Sequence, residues 1–185
     1  MKRVSDLGAS ELEWIQPKTL ERLYELRSGD AVLGWLSFRS AFGTLAIAES
    51  ADGQWSFKRV GFLNPRVTVR VVNRDEDMAI YQPNIWGDGV LSVGDGRTFA
   101  WKPVNFWATE WAFTDREGRL VLKFKPGRQH EKLSDIFKTQ ATVEIHSVVT
   151  SLDLLPVLLP LGLYLIILRQ QDAAAAVAAT SATTS

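Results

Sequence analysis

His130 and His146 are the only imidazoles in this 185-residue chain, and it contains no cysteine. A Ser–His–Asp triad needs a serine placed beside one of those rings, and no Gly-x-Ser-x-Gly elbow occurs. Zinc needs three or four ligands at recognisable spacing, whereas His130 sits in the polar stretch GRQHEK and His146 ends a strand-like run. Without cysteine there is no thiolate nucleophile and no disulfide framework. The acidic segment Asn73-Arg74-Asp75-Glu76-Asp77 lacks the glycine and closing glutamate of a calcium loop. Gly87-Asp88-Gly89 and Gly94-Asp95-Gly96 lie between strand-like runs, where hairpin turns explain them, and not at a strand-to-helix phosphate loop. These residues predict no catalytic group, no metal and no cofactor, and so a protein that is not an enzyme.

Two surface clusters remain. Phosphate headgroups require several Lys and Arg side chains close together, and Lys58 and Arg59 face Arg66 and Arg70 across an expected hairpin, which would bring them together on its outer face. Trp86, Trp107 and Trp111, with Trp101, Asn84, Asp88 and Asn105 nearby in sequence, could form a stacking platform for a sugar or another planar ligand. Lys plus Arg (21) equals Asp plus Glu (21), so the chain lacks the broad cationic footprint of a nucleic-acid binder. A neutral total leaves room for a local basic patch.

The elements that must position these clusters are short. Between residues 20 and 147 the chain is a series of runs rich in β-branched and aromatic residues, each broken by Gly, Asp, Asn or Pro. The clearest are 22–26, 31–38, 44–48, 55–60, 66–72, 78–81, 90–93, 98–102, 110–114, 120–125 and 141–146. No segment between them is long enough for a helical crossover, so neighbours pair antiparallel. Several runs alternate: Val67, Val69 and Val71 share one face against Arg66, Thr68 and Arg70, and Trp55 and Phe57 share another against Ser56 and Lys58. Each strand therefore has one apolar side that needs a partner.

Residues 154–168, LLPVLLPLGLYLIIL, hold no charge and are apolar on every face. Such a helix must be buried on all sides, in a protein core or in a bilayer. Fifteen residues at 1.5 Å each reach roughly 22 Å, short of the ~30 Å hydrocarbon layer. Lengthening the span upstream through residues 148–152 takes in Asp153. Ser151 or Asp153 can cap the start, and Pro160 is expected to kink the helix or delay its regular part. A sheet closed around this helix would satisfy the strands and the helix together and leave no unpaired edge.

Hairpins of the ADGQWSFKR and GDGRTFAWK type, followed after the last strand by VEIHSVVTSLDLLPVLLPLGLYLIIL, resemble the tubby C-terminal-like superfamily, which includes phospholipid scramblases and LURP-one-related proteins. The resemblance spans residues 20 to about 171. It implies an all-β fold with one central helix: a closed antiparallel barrel of about twelve strands around a C-terminal hydrophobic α-helix. It also implies work at membranes, as in the phosphoinositide binding of tubby proteins, although the cysteine cluster and proline-rich arm of scramblases are missing. The expected organisation is a polar segment at 1–19, the barrel at 20–147, the helix at 148–171 and a disordered Ala/Thr/Ser tail at 172–185. The absence of a secretory signal and of cysteine points to the cytoplasm, and the resemblance adds an anionic phospholipid or membrane surface as partner and a place peripheral to the membrane. The other functional expectations are a tail-anchored protein held through residues 154–168 with a cytosolic β-domain, and a carbohydrate-binding module.

Overall fold

A computed structural model describes residues 3–4, 11–18, 21–127, 138–146 and 153–182. His130, Ser151, the stretch 148–152 and the last three residues lie outside these.

Twelve strands form one closed antiparallel barrel in simple up-and-down order. They are β1 (Glu11–Gln16), β2 (Leu23–Ser28), β3 (Ala31–Phe38), β4 (Ala46–Ser50), β5 (Gly53–Val60), β6 (Arg66–Val71), β7 (Ala79–Pro83), β8 (Gly89–Val93), β9 (Thr98–Pro103), β10 (Trp111–Thr114), β11 (Leu120–Pro126) and β12 (Lys138–Ile145). β1 closes the barrel by pairing with both β12 and β2. It falls inside the segment expected to be merely polar: Leu12 and Trp14 point into the core while Glu11 is exposed, the two-residue period of a half-buried strand. The tight turns use glycine where the backbone demands it. Gly29 and Gly96 have φ of 55° and 90° with open space around them, so a side chain there would be opposed by conformation alone.

The inward faces follow the alternation read from the runs. Trp55 and Phe57, Val67 and Val69, and Leu122 and Phe124 are all buried. Through the lumen runs α1 (Leu155–Ala182). Every residue from Leu154 to Leu168 is buried, which satisfies the requirement that an all-apolar helix be enclosed. No helix among the described residues is long and apolar enough to cross a membrane.

Several details of the helix differ from expectation. Leu154, not Asp153, is the cap, since its carbonyl accepts from Val157 and Leu158. Pro160 lies inside the helix and does not delay its start, which comes five residues earlier at Leu155. Beyond the lumen the helix continues to Ala182, because Ala173 to Ala176 and their neighbours are strong helix formers with no competing turn signal.

The Asp153 carboxylate is held instead by Arg97, with contacts of 2.6 and 3.1 Å, and Arg97 also binds Asp95. Hydrogen bonds from Arg97 hold both carboxyls below the usual carboxylate range. A depressed folded value contributes stability above the unfolded value of about 3.9, and this contribution disappears as pH falls through the folded one. The Asp153→Asn variant should therefore lose less of its urea midpoint than wild type between neutral pH and acid. Parallel midpoint–pH curves would remove this pair from the acid response.

Further along the buried stretch of the helix, Tyr164 stacks on Phe38 (5.6 Å, 11°) and donates its hydroxyl to the Thr44 carbonyl at 2.7 Å. Burial pushes its phenol up to about 12.

Candidate functional site at the barrel exit

In an up-and-down barrel alternate connections lie at opposite ends. Those after β1, β3, β5, β7 and β9 share the end where α1 emerges past Leu168, here called the exit. Contacts confirm the placement: Tyr164 reaches Thr44, Arg59 binds Asp172 at 2.7 and 2.9 Å, and Arg169 donates to the Trp86 carbonyl at 3.3 Å. Asp153 and the connections after β2, β4, β6, β8 and β10 form the entry end.

Chemistry divides between the two ends. The entry connections are predominantly acidic, with Asp30, Asp52, Asp75, Glu76, Asp77, Asp95, Asp115 and Glu117 against Arg74, Arg97, Arg116 and Arg119. At the exit, Arg39, Lys58, Arg66 and Lys102 have no ion-pair partner among the described residues. Phe42, Phe62, Leu63, Ile85, Trp86, Phe106 and Trp107 also lie there, on four successive exit connections, and each is more than three-quarters exposed. Among the described residues no other large apolar side chain reaches that exposure. Isolated exposed apolar residues are ordinary, but seven gathered on one end of a barrel mark that end as a candidate interaction surface.

Two hollows open beside the emerging helix, separated by Arg169. One, of about 400 Å³, is lined by Arg59, Arg66, Val67, Tyr81, Trp86, Leu165, Leu168, Arg169 and Asp172. The other, of about 370 Å³, is lined chiefly by Trp101, Ala108, Trp111, Leu165, Ile166 and Arg169. The Arg169 guanidinium lies over the Trp111 ring, 4.6 Å from its centroid. It passes close to Gly87, where a Cβ would stand 2.9 Å from its Nη1 and where φ is 85°. Burial pushes the Tyr81 phenol well above its ordinary value, with Asp88 adding to the shift.

The four cations expected to share one outer face do not all do so. Neighbouring residues of a strand point to opposite sides, so Arg59, beside the outward Lys58, turns into the barrel mouth and pairs with Asp172. Arg70 is engaged by Asp77 at 2.6 Å. Arg66 faces the first hollow, and Lys58 stays exposed. The tryptophan group also divides. Trp111 is buried, stacked on buried Trp101 at 5.6 Å, and its Nε1 donates to the Ala108 carbonyl. Trp86 and Trp107 stand exposed on separate connections. Asn84 and Asn105 serve their own loops: Asn84 accepts from the Trp86 amide, and Asn105 both accepts from and donates to Thr109.

The described carboxylates and His146 form no group that could hold a metal ion. The buried His146 Nε2 has no hydrogen-bond partner among the described residues. Comparison with protein-family models, with curated proteins and with solved structures returns no match for this chain.

Proposed function

We propose that this is a non-enzymatic, cytoplasmic barrel of the tubby-like kind that docks, exit end first, on anionic membrane surfaces. The observation that carries this reading is the set of seven exposed apolar side chains on four successive exit connections, backed by cations without partners. Aromatic and aliphatic side chains on loop tips can enter the boundary between headgroups and acyl chains, where Trp is at home. Each Lys or Arg near an anionic surface adds about 1 kcal/mol. The acidic entry end would be repelled by the same surface, so charge and apolar patch favour one orientation. The barrel-around-helix order agrees with the family resemblance, whose better-known members act at membranes.

Flotation with phosphatidylcholine vesicles, with and without phosphatidylserine, tests the proposal. Wild type should float with the anionic vesicles, and less so at high salt. A Phe42→Ser/Phe62→Ser/Phe106→Ser variant, which alters only exposed positions, should lose at least about tenfold in binding, because even partial insertion of three aromatic side chains exceeds about 1.4 kcal/mol. Wild type that stays with the unbound protein, or a variant that floats equally well, would overturn it. Recovery with membranes through carbonate extraction would support the anchored alternative instead.

A further inference from the structure

The hollow between β5, β6, β7 and α1 combines an apolar floor with a cationic rim. Its floor is apolar and buried, made by Val67, Tyr81, Leu165 and Leu168. Its rim carries three guanidiniums, those of Arg59, Arg66 and Arg169. Arg59 is neutralised by the two-pronged contact with Asp172, the one lining carboxylate. Arg66 and Arg169 have no carboxylate among the described residues. Arg169 donates one Nη1 hydrogen bond to the Trp86 carbonyl and sits over the Trp111 ring, and a guanidinium carries five N–H donors in all. The other acid nearby is Asp88, felt by Tyr81 from beyond the lining.

Two uncompensated guanidiniums at the edge of one cavity raise the local anion affinity, and their planar forks suit the oxygens of a phosphate group. A volume of about 400 Å³ lies at the low end of small-molecule sites. That leaves space for a head and the first part of one chain. We infer that this hollow is a receptor for a single-chain amphiphile with a phosphate head, the phosphate held between Arg66 and Arg169 and the chain laid along Leu165 and Leu168. The assignment rests on the proposed lipid-facing exit for the ligand's source, and its binding chemistry can be tested without any bilayer.

The probe is monomeric octyl phosphate, titrated by calorimetry and by tryptophan fluorescence, with inorganic phosphate and octanol as the two half-ligands. Octyl phosphate should bind at least about tenfold more tightly than either half. Arg66→Gln and Arg169→Gln should each weaken it by about ten- to a hundredfold, the effect of one lost charge-assisted hydrogen bond set, while Arg119→Gln at the entry end should not change it. Arg66 is at the surface, so its variant keeps the test valid if Arg169→Gln disturbs packing on Trp111. Octyl phosphate binding no better than octanol, or binding indifferent to Arg66→Gln, would overturn the site. No bilayer is present, so that failure leaves a positive flotation result standing. Failed flotation with octyl phosphate still bound would instead overturn the docking proposal alone.

Discussion

A chain ending at residue 152 should not form the barrel. Every residue from Leu154 to Leu168 is buried in the lumen, and the inward faces of the strands have no other apolar surface to meet. Burying one large aliphatic side chain contributes about 1.5–3 kcal/mol, so this segment alone accounts for roughly 20 kcal/mol or more, an upper figure because unfolded chains already bury some surface. Even halved, it rivals the whole net stability of a domain, about 5–15 kcal/mol. The expected result is loss of the cooperative thermal transition and of dispersed amide resonances. A full-length Leu158→Asp chain, with an unpaired carboxylate in the lumen, should behave in the same way. A truncated chain that still melts cooperatively would mean the strands close on themselves and the helix is an accessory.

The second large effect is expected from one methyl group. Gly162 sits mid-helix against the edge of the Phe124 ring, and a Cβ there would stand 2.6 and 2.7 Å from the two Cε atoms and nearer still to Cζ. Helix propensity alone would make Gly162→Ala stabilising by about 1 kcal/mol. The clash acts in the opposite direction, and the ring cannot easily retreat, being held by Trp101 at 5.4 Å and Phe113 at 6.3 Å. Overpacking of this kind costs about 1–3 kcal/mol. Gly162→Ala should therefore be destabilised in urea, and Gly162→Leu should fail to fold. Phe124→Leu would cost stability by itself, yet in the Gly162→Ala background it should cost less, since the smaller side chain makes room for the methyl. Gly162→Ala as stable as wild type would show that the lumen has slack there.

Most of the fold was legible because barrels write themselves in period two and in turns. Eleven of the strands were bounded by Gly, Asp, Asn or Pro signals, and the apolar block needed enclosure on all sides. β1 was obscured by composition: ELEWIQ alternates as a strand does, but its acidic residues gave the segment a polar look. The site was less legible. That Lys58 and Arg59 point apart follows from strand alternation and could have been read. Phe62 and Leu63 between Gly61 and Asn64-Pro65, or Ile85 and Trp86 between Asn84 and Gly87, were apolar residues standing where a turn should be polar. The parts that could not be read are the ones joining distant segments. Arg59 meets Asp172 across 113 residues, and Arg169 meets both Trp86 and Trp111, only because of where the helix leaves the lumen.

The position of α1 after the last strand also governs how the chain must come into being. Closure joins β1 to β12, from Glu11 to Glu144, and the filling of the lumen comes later still in sequence. During synthesis the hairpins can pair one after another as they emerge, but their inward tryptophans, phenylalanines and valines stay unmatched until residue 168 has cleared the ribosome. Local pairing is early and the decisive burial is last, so completion of the fold waits on two long-range steps, the β1–β12 closure and the filling of the lumen. Until the helix arrives, any hairpins that pair leave a wet apolar face and two free edges, features that favour aggregation.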